Sequence, residues 1–216
     1  MGETRALARG WETDITIAVD ALVPLQALYP LVERLAELTD TRLRLRAEVL
    51  AGSWECLEDG RADLLISSLN PDITLTGIKH QPLQEEVMLY VAHPDHPLHG
   101  EPEPLADETL RRYRAIAIAD TARRKPALTY RLLDKQPRLT VSTMGEKRDA
   151  LLAGIGVGTM PLSWIEEDIK AGRLKVIGPE YRHQVQVVLA WRRDTMGKAK
   201  SWLVREIPKL FPCKGE

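Results

Sequence analysis

Between residues 14 and 66 the apolar residues of this chain change period again and again, and that alternation limits the folds open to it more than any other feature. Residues 14 to 19, Asp-Ile-Thr-Ile-Ala-Val, alternate apolar and polar and are rich in β-branched side chains, the pattern of a half-buried strand. A turn follows at Asp20, then a loop bracketed by Pro24 and Pro30. Leu31, Leu35 and Leu38 fall at helical spacing with Glu33, Arg34 and Glu37 outside, so a helix is predicted from near Pro30. Leu43, Leu45, Ala47 and Val49 alternate as a second strand. In the next segment Ser53 is placed to cap a short helix and Gly60 to stop it in a left-handed conformation, after which Leu64-Leu65-Ile66 reads as a buried strand. Strand, helix, strand, helix, strand is the order of parallel strands joined by crossover helices. Composition agrees: Phe occurs once and aromatics are 5% of the chain, so the core rests on Leu, Val, Ile and Ala, as in sheets covered by helices.

The remainder predicts a second α/β unit and a return to the first. Residues 82 to 98 carry a strand broken by two prolines, with a crossing placed at His93 to Pro97. Strands are predicted at Arg114 to Ala119, Leu139 to Val141 and Val157 to Met160. A helix from Met144 to Ala153 opens with a capping box, Thr143 and Glu146. Another helix runs from Leu162 to Ala171 and closes at Gly172. Gln184 to Trp191 alternates like a strand, with the second crossing at 187 to 191, and 198 to 210 forms an amphipathic helix through Ala199, Trp202, Leu203 and Ile207.

Several functions are disfavoured by composition. With 30 Lys and Arg against 31 Asp and Glu, the segment lacks the basic excess that holds a nucleic-acid backbone. No apolar run reaches the roughly 18 residues of a membrane helix, and MGETRALARGWE has no secretory core, so no membrane partner is expected and the compartment predicted is the cytoplasm. Cys56 and Cys213 lack metal or redox spacing, and His93, His96 and His99, with His80 and His183, form no paired ligand motif, so no metal or cofactor is predicted. Gly154-Ile155-Gly156-Val157-Gly158 follows a helix and leads into a strand, the reverse of a dinucleotide fingerprint; these glycines are expected to end the helix and let backbones approach closely. Arg111-Arg112 and Arg123-Arg124-Lys125 read as solvated faces, with an anion site as the lesser reading.

An ordered set of residues resembles a known family: Gly52-x4-Leu57-x2-Gly60-x2-Asp63-Leu64-x-Ile66, Pro82-Leu83, His96-Pro97-Leu98, Gly154-Ile155-Gly156-Val157-Gly158-Thr159-Met160-Pro161 and Gly172-Arg173-Leu174. From about Asp14 to Phe211 the chain resembles the effector domain of LysR-type transcription regulators, and the strength of the likeness lies in order and spacing. The resemblance implies an α/β, two-lobed fold like type 2 periplasmic binding proteins, crossed twice by the chain, with the ligand between the lobes. On that basis residues 14–94 and 190–212 are assigned to lobe I, 95–189 to lobe II, and 1–13 to a remnant of a linker helix or a tag. In that family a winged helix-turn-helix precedes this region; here only Glu3 to Gly10 corresponds to its linker, so DNA contact is expected only through an N-terminal domain outside these residues.

Ligands of such sheets sit beyond the carboxyl ends of strands, where helix N-termini leave free N–H groups. The chain offers three such ends: Asp20-Ala21-Leu22, Ser53-Trp54 and Ser142-Thr143-Met144. The resemblance places the effector on those loops together with Ser67, Ser68 and Thr159. Ser53 and Thr143 serve equally well as plain helix caps, and Asp20 as a turn former. An Asp20 facing the ligand disfavours a carboxylate effector. The reading is a non-enzymatic receptor for a small organic effector, a homodimer or homotetramer; a solute receptor of a transport system with the same fold is the alternative, and an enzyme on this scaffold would need a catalytic constellation that is not found.

Overall fold

The computed structural model describes residues 10–69, 76–193 and 196–211. They pack as two units. The first holds the described residues of Met1–Glu85, Thr121–Ala127 and Gln186–Glu216, and the second holds Glu86–Asp120 and Leu128–Val185. The divisions fall inside strands, at 85–86 and 185–186, whereas the sequence reading set the crossings at 93–97 and 187–191. The return of Thr121–Ala127 to the first unit has no counterpart in that reading. Residues 1–9 of the segment expected to be a linker remnant or a tag, and Cys213, lie outside the described residues.

In the first unit β1 (Asp14–Asp20) pairs in parallel with β2 (Arg42–Glu48) and β3 (Leu64–Ser68). β3 pairs antiparallel with β9 (His183–Arg192), and the strand order is β2-β1-β3-β9-β4, where β4 is Ile78–Ala92. The period-two pattern of β1 is what divides the core. Ile15, Ile17 and Val19 point to one face, where Leu31 and Leu35 of α1 (Tyr29–Ala36) and Leu203 of α6 (Lys198–Glu206) cover them. Ala18 points to the other face and meets Trp54, Cys56 and Leu57 of α2 (Ala51–Glu58). The predicted final helix ends at Glu206, and Ile207–Leu210 continues as a 3-10 turn because Pro208 has no N–H to extend an α-helical ladder.

The second unit carries α3 (Asp107–Leu110), β5 (Ala115–Ile118), β6 (Arg138–Val141), α4 (Met144–Leu152), β7 (Val157–Pro161), α5 (Leu162–Lys170) and β8 (Lys175–Val176). Its strand order is β4-β7-β5-β6, with β8 on β4. β5 is parallel to β6 and β7, while β4 runs antiparallel to β7, so antiparallel pairs join the parallel ones that the sequence suggests. The expected broken strand is unbroken to Ala92: Pro82 lies within it, and Pro94 and Pro97 come after its end.

A close approach within the first unit fixes one residue. A Cβ on Gly52 of α2 would lie 2.1 Å from Thr121 Oγ1 and 2.4 Å from the Thr121 carbonyl carbon. Only a residue without a side chain lets segment Thr121–Ala127 lie against the helix. Gly52→Ala is therefore expected to destabilise the chain by about 1–3 kcal/mol or more, the usual range for overpacking. Denaturant unfolding followed by circular dichroism reads this, and an unchanged midpoint would contradict it.

Candidate functional site

At the carboxyl end of β1 the Asp20 side chain is buried and engaged by its own chain. Oδ1 accepts from the Leu22 N–H at 3.0 Å, closing a local turn, and Oδ2 accepts from the Leu50 N–H at 3.0 Å and from the Ser53 hydroxyl at 2.6 Å. Ser53 is thus not the cap of α2. The helix begins at Ala51, the cap position belongs to Leu50 with φ at 51°, and Ser53 sits within the first turn as a donor to Asp20. A non-glycine residue at positive φ costs about 1–3 kcal/mol, and the Asp20 carboxylate helps to hold it there. Trp54 is buried in the core and donates its indole N–H to the Ser68 carbonyl at 3.2 Å. Ser67 is buried, while Ser68, Ala21 and Leu22 are half-buried.

Beside this network lies a second buried carboxylate that sequence reasoning did not single out. Glu55 has no exposed surface and accepts from the backbone N–H groups of Lys125 (3.0 Å), Arg124 (3.0 Å) and Arg123 (3.0 Å), with Arg61 at 3.4 Å. Those N–H groups, the Lys125 one foremost, hold its carboxyl down to about 2, from an ordinary 4.5. Glu48 accepts from the Thr121 hydroxyl at 2.5 Å and pairs with Arg46 and Arg61. The basic run at 123–125 therefore does receive an anion, but an internal one: the backbone binds Glu55, while the Arg124 and Lys125 side chains pair with Asp59 and Glu58.

The second unit carries the remaining expected contacts, at the start of α4 and on β7. Thr143 caps α4 as expected, accepting from the Glu146 N–H at 3.1 Å, while Glu146 accepts from the N–H groups of Ser142 (2.9 Å) and Thr143 (3.0 Å). Ser142 and Thr143 are exposed and Met144 is buried. Thr159 on β7 is buried, and its hydroxyl has no hydrogen-bond partner among the described residues. Lys147 is also buried, on the face of α4 that carries Met144, Ala150 and Leu151. Its i, i+3, i+4 placement among those apolar residues is a signal legible in the sequence but not drawn from it.

The histidine run has its ring nitrogens turned to the backbone. His93 and His96 accept from the N–H groups of Asp95 and Leu98 at 3.2 Å each, and His99 Nε2 lies 3.1 Å from the His93 carbonyl. Among the described residues no helix is long and apolar enough to cross a membrane. The glycine segment behaves as expected: Gly154 ends α4 at φ 71°, and a Cβ on Gly156 would lie 2.4 Å from the Arg114 carbonyl oxygen.

Comparison with known proteins accords with this architecture. Residues 8–211 match the LysR substrate binding domain. The chain is 55% identical over 215 residues to the probable HTH-type transcriptional regulator YhaJ of Escherichia coli K12, covering 98% of this chain and 71% of that protein. It is 32% identical over 205 residues to YeeY of the same organism, an uncharacterized HTH-type transcriptional regulator, covering 93% of this chain and 66% of that protein. In fold it is similar to full-length LysG of Corynebacterium glutamicum with bound effector Arg, with a TM-score of 0.72, 18% identity, and coverage of 97% of this chain and 72% of that one. ArgP of Mycobacterium tuberculosis is also similar, with a TM-score of 0.66, 19% identity and coverage of 96% and 69%. The chain belongs to the LysR substrate-binding domain family, the effector-binding regulatory part of LysR-type transcription regulators. Its fold class is the α/β, type 2 periplasmic-binding-protein-like one implied by the sequence, and its curated relatives are transcription regulators rather than transport receptors.

The Glu55 arrangement has a pH signature. Because the folded state holds this carboxyl at about 2 and the unfolded chain near 4.5, its stabilisation is complete above pH 4.5 and is lost as pH falls towards 2. Glu55→Gln is expected to lower the unfolding midpoint at neutral pH and to flatten the fall of that midpoint across the acid range. Parallel curves for parent and variant would contradict the assignment.

Proposed function

We propose that this domain binds a small organic effector beyond the carboxyl ends of its strands and passes the change to a DNA-binding module through altered packing of a homodimer or homotetramer. The observation that carries the reading is the Thr159 hydroxyl, buried and without a partner among the described residues. A buried hydroxyl is normally hydrogen-bonded, and one left over in a receptor is a position for a ligand atom. Of the other expected contacts, Ser142 and Thr143 are exposed around the start of α4, and Ala21, Leu22, Ser67, Ser68 and Met144 are assigned to apolar or backbone contact. Asp20, Ser53 and Trp54 are engaged within the fold and are assigned to shaping the site. Since Asp20 is held by Leu22, Leu50 and Ser53, its charge gives no ground for excluding an acidic effector. LysG, similar in fold at 18% identity, holds the bound effector Arg. Self-association is supported by Tyr29 and Val32, exposed on α1 at 54% and 37%. Signalling requires the effector to bind two arrangements of the assembly with unequal affinity, since equal affinity shifts nothing.

A ligand at about 100 times its Kd adds about 2.7 kcal/mol of stability, or roughly 5–10 °C in a domain of this size. A thermal-shift screen of small acids, phenols and amines is expected to yield such a ligand. Thr159→Val should leave the unliganded domain as stable as the parent, because the hydroxyl has no bond to lose, while weakening the hit about tenfold. Equal affinity in parent and variant would remove Thr159 from the site. Sedimentation equilibrium should find dimers or tetramers, and a strict monomer at high concentration would contradict the assembly.

A further inference from the structure

Two of the exposed apolar side chains of the first unit meet at one groove. Leu38, just beyond α1, and Met196, just before α6, are 51% and 44% exposed, and together with Trp11 and Trp202 they line a groove of about 610 Å³. All four belong to the first unit. Single apolar residues on a surface need no explanation, whereas four around one concavity are the composition of a binding site. The volume also falls inside the roughly 300–1,000 Å³ of small-molecule sites.

The charge of the groove is one-sided. Lys198 and Arg205 line it as well, and none of its lining residues is an acid. Lys198 is exposed and has no acid partner among the described residues. Its stem packs along Gly10, itself a lining residue, where a Cβ would stand 3.6 Å from the lysine Cε and φ is 76°. Arg205 shares Glu206 with Arg34 and Lys209, at 3.3, 2.5 and 2.8 Å, so three cations meet one carboxylate and a positive excess remains. The backbone N–H groups at the start of α6 are already engaged. Glu12 accepts from those of Ala199 and Lys200 at 2.9 and 3.3 Å, and the Gly10 carbonyl accepts from that of Lys198 at 2.9 Å. An anion in the groove therefore depends on the side chains of Lys198 and Arg205.

We propose that this groove is a second small-molecule site, for an aromatic monocarboxylate, separate from the position marked by Thr159 in the second unit. The ring covers Leu38 and Met196 and meets the indoles of Trp11 and Trp202, which favour a flat aromatic partner, while the Met196 thioether adds a sulfur–aromatic contact. Lys198 alone carries an uncompensated charge, which suits one carboxylate rather than two. Because both cations stand in water, their share of the affinity is modest and falls with added salt. The site stands whether or not Thr159 receives the effector.

The test titrates cinnamate, cinnamamide and octanoate into the chain, followed by calorimetry and by the indole N–H resonances in two-dimensional NMR, assigned through Trp11→Phe and Trp202→Phe. Cinnamate should shift the Trp11 and Trp202 signals and leave that of Trp54, buried in the core, in place. The amide and octanoate should bind several-fold more weakly, Lys198→Glu should bind cinnamate about fivefold or more weakly at low salt, and Thr159→Val should bind it as the parent does. Lys198→Glu should unfold at or above the parent's midpoint, since it breaks no pair and places an acid at a helix start. The proposal is overturned if cinnamate moves neither indole, if the amide or octanoate binds equally, if Lys198→Glu binds like the parent, or if Thr159→Val abolishes the binding. A shift of the same two indoles with protein concentration alone, without response to cinnamate, would give the groove to a second copy of the chain and equally overturn it.

Discussion

The first unit depends on two buried carboxyl groups, Asp20 and Glu55, each held by donors of its own chain. An isolated buried carboxylate is strongly unfavourable, so Asp20 and Glu55 require donors wherever the chain can supply them. Asp20 takes the Leu50 N–H and the Ser53 hydroxyl, and Glu55 takes three successive N–H groups from 123 to 125. Both demands converge on α2. The first shapes the entry into that helix at a residue with φ 51°, and the second draws Thr121–Ala127 across it, which in turn requires Gly52. Donors that the sequence offers to a ligand are here donors to the protein's own buried carboxyl groups.

This explains which parts of the molecule the sequence disclosed. β1, β2 and β3, the capping box at Thr143 and Glu146, and the helix stop at Gly60, φ 72°, are local patterns, each contained within a few residues. The role of Ser53 was misjudged because its acceptor lies 33 residues earlier, and a window along the chain sees only a hydroxyl near a helix start. Glu55 was invisible for the same reason: its donors are about 70 residues later, in a run whose side-chain charges drew attention away from its backbone. Lys147 is different, since its helical spacing with Met144, Ala150 and Leu151 was readable in advance. Of the expected site, Thr159 emerges with an unengaged hydroxyl and Trp54 with its indole N–H already bonded.

The comparisons and the geometry answer separate questions. Neighbours at 18–19% identity share the fold, and a relative at 55% identity places the chain among transcription regulators. Neither says which side chains read a ligand, because a fold hosts many sites. That distinction rests on polar satisfaction. Among the described residues, buried side-chain atoms without a hydrogen-bond partner occur in both units, Asp14 Oδ1 and Arg61 Nε in the first and Thr159 Oγ1 and His183 Nε2 in the second. Of these only the Thr159 hydroxyl belongs to an expected contact, and the proposed effector site rests on it.

The dependence on buried carboxylates is tested most directly by native-state hydrogen exchange at the amides of Arg123, Arg124 and Lys125. These sit in a segment without helix or strand, where exchange would ordinarily be fast. The account predicts strong protection in the parent and its selective loss in Glu55→Gln, with the β1 and β3 amides still protected. Unprotected amides at 123–125 in the parent would contradict it.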